Sequence, residues 1–124
     1  MRTDMFIKSY RATAAIAKHR IVRAGASADA TITQAAAAAD PLMGVHGSLP
    51  AAANDVTDVV CGGYATVEYG GTVTRGAPLT SDAQGRAIVA TTAGQRLVGF
   101  AVVAGVVGDL GTVHVQLGVM ATGA

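Results

Sequence analysis

The stretch VEYGGTVTRGAPLTSDAQGRAI, Val67 to Ile88, is dense in glycine and polar residues. A glycine-rich loop can cradle a phosphate, but such a loop needs a GxxxxGK[ST] pattern, and this one has no lysine. Gly105, Gly108 and Gly111 are spaced G-x-x-G-x-x-G, which is not the dinucleotide fingerprint, and a strand rather than a helix follows them. They read as turns. His19, His46 and His114 lie far apart in sequence without close metal-ligand spacing, and a lone cysteine, Cys61, cannot build a cysteine-rich zinc site. Cys61 stands in an apolar run with no neighbouring histidine and reads as a structural thiol. None of Ser9, Ser27, Ser48 and Ser81 sits in a nucleophile elbow. Asp82 and Asp109 occupy turn sequences, SDAQG and GDLG, in which an aspartate caps its own backbone two residues on. Asp58 and Glu68 could pair as acid and base, but such carboxylates usually face solvent. No catalytic residue, metal site or cofactor is expected.

The elements that would carry these residues are strands. Arg20–Ala24, Ala28–Ala35, Leu42–Gly47, Val56–Tyr69, Arg86–Thr91 and Leu97–Val103 are β-branched or alternating runs, separated by turn signals about every ten residues. Val56–Tyr69 is expected to bend or bulge at Gly62-Gly63. Thr112–Val119 alternates, with Val113, Val115, Leu117 and Val119 expected inward. RATAAIAKH could form a short helical turn. Ala35–Asp40 is too short to stand as a helix before Pro41. No amphipathic helix separates the strands, so the spacing predicts an all-β fold, a small β-barrel or sandwich. Gly70-Gly71 should end one strand, Gly76-Ala77-Pro78 turn the chain, and Ser81 to Gly85, including Asp82, form a polar hairpin tip.

Composition bounds what such a fold can do. The chain has 124 residues, with 51% hydrophobic, 14% charged and 4% aromatic residues and 16 glycines. Such a length suits one domain. A surface so poor in charge is expected to be partly covered by partners. A single cysteine permits no intrachain disulfide. MRTDMFIKSYR is broken by charge, so no signal peptide is expected, and no apolar run reaches membrane-spanning length. Charge is uneven: residues 1–23 carry Arg2, Lys8, Arg11, Lys18, Arg20 and Arg23 against Asp4, a net +5, whereas residues 24–124 carry net −4. We divide the chain into an extended basic N-terminal arm, 1–19, and a β domain, 20–124. Phe6, Ile7 and Tyr10 give the arm apolar side chains that could pack against something. Interleaved with cations they could stack on bases, yet the acidic body would repel a phosphate backbone, and no direct nucleic-acid binding is expected.

Asp58-Val59-Val60, VEYGGTVTRGAPLTSDAQGRAIVA, LVGFAVVAG and GTVHVQLG together resemble the capsid cement (head decoration) proteins of tailed bacteriophages. The pattern V-x-x-G-x-P-L-T-S-D-x-x-G-x-A falls on Val73, Gly76, Pro78, Leu79, Thr80, Ser81, Asp82, Gly85 and Ala87, and the likeness covers about residues 42–119. It implies a non-catalytic homotrimer on the outer capsid surface of the virion, made in the host cytoplasm and bridging subunits of the major capsid protein. It implies an arm lying along the capsid, with Arg2, Met5, Phe6, Ile7, Lys8, Tyr10 and Arg11 as capsid-binding residues. Gly70, Gly71, Gly76, Pro78, Asp82 and Gly85 are then structural turns. Removing residues 1–17 is expected to leave the body folded and abolish capsid binding. A carrier or hammerhead-type barrel is the alternative, since G-T-V-x-x-G-x-P-L occurs there. A carrier needs a modifiable lysine on a hairpin, and Lys8 and Lys18 both lie in the arm.

Overall fold

The computed structural model describes residues 6–25, 29–47 and 49–121. Among them it has no helix and nine strands: β1 Phe6–Ala12, β2 Ile21–Ala24, β3 Thr31–Gln34, β4 Leu42–His46, β5 Val56–Glu68, β6 Pro78–Ser81, β7 Ala87–Val89, β8 Arg96–Ala101 and β9 Leu110–Val119. The order is β1-β3-β2-β4-β5-β9-β8-β6-β7, with an additional β1–β5 pairing. That pairing closes the first five strands into a small barrel. The other strands curl into a second, looser ring, where the Tyr69–Ala87 bridge returns β7 to the end of β5. The fold is all-β, a small barrel with extra strands, as the turn spacing predicts.

The longest strand, β5, serves both rings. Its first half pairs with β1, from Arg11↔Val56 to Phe6↔Gly62, and with β4 at Val59 and Val60. From Gly63 onward it pairs with β9 instead. The β1 register shifts between Phe6 and Ile7, which face Gly62 and Val60 and leave Cys61 as the extra residue. Gly63 has φ 84°, a left-handed conformation that glycine adopts without strain. The bulge therefore falls at Cys61, next to the expected Gly62-Gly63 pair, and at that pair the strand changes sheets.

Two cores follow from this layout. Tyr10, Ala12, Ile16, Val22, Ile32, Ala51 and Val59 fill the first barrel. A larger cluster around Tyr69, Val67, Leu79, Val98, Val113 and Val115 fills the second ring, and Ile21, Leu42 and Val45 join it from the first. Adjacent residues of β2, Ile21 and Val22, thus enter different cores, as strand alternation requires.

The β6–β7 hairpin forms as its sequence predicts. Asp82 Oδ1 accepts the Gln84 and Arg86 backbone N–H groups, and Oδ2 pairs with Arg86 Nε at 2.9 Å. Its tip is docked rather than free: Gln84 O accepts from Arg20 Nη1 and Gln34 Nε2, each at 2.8 Å. Gly85 O accepts the Ile21 N–H at 2.7 Å.

Three expectations differ from the structure. RATAAIAKH is not helical; Ile16 makes a bridge to Ala51 instead. Leu117 and Val119 are exposed although Val113 and Val115 are buried. The alternation holds only while β9 has β5 beside it, and that pairing ends at Gly63↔Val115. Pro78 opens β6 rather than sitting in the turn, and Arg75 and Gly76 (φ 87°) make the turn, closed by the Ala77 N–H on Thr74 O.

Candidate functional site

Five of the candidate contact residues of the N-terminal segment, Phe6, Ile7, Lys8, Tyr10 and Arg11, lie on β1, a strand of the chain's own sheet. Strand alternation sorts them. Tyr10 and Ala12 point into the first core, and Tyr10 is 8% exposed. Phe6 is 69% and Ile7 45% exposed. Lys8 and Arg11 are also exposed. Lys8 Nζ lies 5.8 Å above the Tyr10 ring, within cation–π range. Arg11 Nη1 donates to Asn54 O at 2.7 Å, and Ser9 Oγ to Asp58 Oδ1 at 2.8 Å. Arg2 and Met5 lie outside the described residues.

The main chain of β1 has one satisfied edge and one partly open edge. The Ala12 N–H bonds Asp55 O and Ala12 O accepts from the Asn54 N–H, so this residue turns both groups toward β5. The Arg11 N–H bonds Ala30 O on the other side. By alternation Lys8 and Tyr10 also face β5, whereas Ile7 and Ser9 face the β3 side. There β3 pairs only with Arg11 and Ala12. Ile7 and Ser9 therefore present main-chain donors and acceptors with no strand of the described residues against them.

Burial raises the Tyr10 hydroxyl above its ordinary value, with Cys61 beside it adding to the shift. Burial also raises the Cys61 thiol, partly offset by Lys8 and Tyr10. The thiol is thus held in its protonated, unreactive form.

Folding gives two cations of the basic segment carboxylate partners distant in sequence. Arg20 pairs with Glu68 at 3.3 Å and Arg23 with Asp40 at 3.4 Å, while Arg11 is bound to a carbonyl. Asp58 and Glu68 have separate partners and form no acid–base pair.

A cleft of about 260 Å³ is lined by His19, His46, Gly47, Val60, Tyr64, Ala65, Thr66 and Thr112. His46 is buried with both ring nitrogens engaged: Nδ1 lies 3.1 Å from Ala17 O and Nε2 2.7 Å from Thr57 Oγ1. The carbonyl requires the proton on Nδ1, and the threonine hydroxyl satisfies Nε2. His46 is thereby committed to structure. Among the described residues no three of His, Cys, Asp and Glu are grouped to hold a metal ion.

The structural turns have more specific partners than their sequence discloses. The Gly105-x-x-Gly108-x-x-Gly111 spacing wraps Tyr69. Added Cβ atoms at Gly105 and Gly111 would collide with its ring, and Gly108 donates its N–H to Tyr69 O at 2.9 Å. The Tyr69 hydroxyl donates to Val103 O at 2.7 Å. Gly70 is likewise pressed against Asp82 and Arg86, whereas a Cβ on Gly76 would meet nothing.

No curated protein matches this sequence. Among solved structures, the head fiber gp8.5 N base of bacteriophage phi29 is similar to it, with a TM-score of 0.70 at 22% identity. The match covers 91% of this chain and 95% of that one, and at such identity it shows a shared fold. The model of the phage cement protein family matches residues 2–117. That match takes in β1 and almost all of the described strands, and so the chain belongs to the phage cement protein family, as a capsid-associated structural protein.

Proposed function

We propose that the protein binds the outer surface of a phage head as a trimer and ties neighbouring major capsid protein subunits together, without catalysis. It would be made in the host cytoplasm and act on the virion. The observation that carries this reading is the open edge at Ile7 and Ser9, beside exposed Phe6 and Ile7, in a chain of a cement protein family. An extended capsid segment can add there as a further strand, with main-chain hydrogen bonds for affinity and Phe6 and Ile7 for apolar contact. Arg2, Met5, Lys8 and Arg11 belong to the same proposed contact. Tyr10 supports it from within the core.

Self-association is supported by the large apolar side chains that the second ring leaves in solvent. Val103, Val106, Val107 and Leu110 are exposed on and beside the β8–β9 connection. A compact group of this kind marks a protein contact more often than a free surface. Three copies held together would bind the capsid by avidity, because second and third contacts are effectively intramolecular.

Ile7→Pro tests the edge directly. It removes one outward N–H while the inward ladder of Lys8 and Tyr10 keeps its donors, and edge strands tolerate proline. The variant should keep its fold by circular dichroism and fail to co-sediment with heads. Folded Ile7→Pro that binds heads as well as the unmodified protein would refute the edge as the contact. Sedimentation equilibrium of the free protein tests the trimer.

A further inference from the structure

We propose that the outward face of the second sheet is a binding platform for neutral saccharides, an activity separate from capsid attachment. Four residues from four adjacent strands stand in register: Tyr64↔His114, His114↔Phe100 and Phe100↔Pro78. Directly opposed residues of antiparallel strands project from the same face. Together they make a transverse row of two aromatic rings, an imidazole and a proline. The Tyr64 and His114 rings lie 5.1 Å apart at 34°. Tyr64 is 47% and Phe100 37% exposed, so much of the row faces solvent.

The next row along the same face is Thr66↔Thr112, and Gln116 follows His114 at the same-face spacing. These rows contain no charged side chain. Glu68, which follows Thr66 at the same-face spacing, is held by Arg20. The face therefore offers aromatic surface and neutral hydrogen-bonding groups, with both donors and acceptors represented.

That combination fits a sugar ring. The electron-rich faces of Tyr64 and Phe100 attract the polarised C–H groups of a pyranose, as they attract any positive edge. Its hydroxyls find Thr66, Thr112, Gln116 and His114. Two strand spacings put Tyr64 and Phe100 about 10 Å apart, a span suited to about two linked sugar rings. The adjoining cleft shares Tyr64 with the first row and Thr66 and Thr112 with the next and, at about 260 Å³, has room for one ring.

Other occupants fit less well. A phosphate backbone or a charged peptide would find no counter-charge in these rows. A second copy of the chain has the exposed Val103, Val106, Val107 and Leu110 beyond Thr112 to pack against. On the outside of a head the platform would hold the particle to polysaccharide.

Saturation-transfer NMR on the full chain tests the proposal, with cellotriose, chitotriose and maltotriose as probes. At least one should receive saturation, and its amide shifts should fall on Tyr64, Thr66, Phe100, Thr112 and His114. Stacking contacts of this type lose about ten-fold or more in affinity when the ring is removed, so Tyr64→Ala and Phe100→Ala should each weaken binding by that factor. Tyr64→Phe keeps the ring and should bind nearly as the unmodified protein does. His114→Ala, at a fully outward position, serves where a truncated aromatic disturbs the fold. The proposal fails if none of the three saccharides receives saturation, or if affinity is unchanged in the folded alanine variants. It fails equally if those variants change the protein's concentration-dependent mass, since the face would then be a subunit contact.

Discussion

The Tyr69 ring occupies the space that a side chain on Gly111 would fill. Gly105 flanks the same ring, with its added Cβ 2.7 Å from Tyr69 Cδ2. Tyr69 is fully buried and tied through its hydroxyl to Val103 O, so it has nowhere to go. Gly111→Ala should therefore destabilise the fold by about 3 kcal/mol, the upper range for overpacking a core. Gly76→Ala has open space around it but a left-handed φ, and should cost about 1 kcal/mol. Urea denaturation of the two variants checks the order.

Removing residues 1–17 should unfold the first barrel. The deletion takes Tyr10, Ala12 and Ile16 out of its core and the closing strand off β5. Each large side chain is worth about 2 kcal/mol in burial alone, before any cavity or lost ladder is counted. The truncated chain should be insoluble or lack a cooperative melt. Soluble, cooperatively melting protein would show that the second ring stands alone.

Stability should fall in alkaline solution. Burial raises both Tyr10 and Tyr69 above the ordinary tyrosine value of 10.0. Above pH 10 the unfolded chain loses these protons while the folded one retains them, so rising pH favours unfolding. Below pH 10 both states are protonated at these sites and their contribution is constant. Urea midpoints measured from about pH 8 to about pH 11 should drop over the last unit. Tyr69→Phe should lower the midpoint at neutral pH, having lost about 1 kcal/mol with the bond to Val103, and should flatten the alkaline drop.

Cys61 should react slowly with iodoacetamide in the folded protein. Its thiol is raised by burial, so little thiolate is present near neutral pH. Mass spectrometry of timed samples should show rapid alkylation only after denaturation. Fast alkylation of the native protein would mean that the bulge at Cys61 opens readily.

Local chemistry was legible in the sequence, and long-range pairing was not. Asp82 to Gly85 spells a capped hairpin in adjacent residues, and the glycines at 62 and 63 announce the bend in β5. The apolar alternation of β9 is readable too, but its reach depends on when β5 departs, so Leu117 and Val119 were misplaced. Whether Phe6–Ala12 is a free arm or a strand turns on its fit to Val56–Gly62, which no local pattern encodes. Positive charge at Arg20 and Arg23 looked like part of one basic segment because Glu68 and Asp40 are distant in sequence. The Tyr64–His114–Phe100 row was hidden for the same reason: it exists only through the register of three strands.

The crossing of β5 from one ring to the other has a dynamic consequence. A strand that is a wall of both the barrel and the second ring cannot detach from one without loosening the other. Opening should therefore run through a single cooperative unit, and the amides of Val59 and Val67, on opposite sides of Gly63, should exchange with deuterium at one common slow rate. With the proposed capsid contact on β1, pull applied there passes across the β1–β5 ladder and along β5 into the far core.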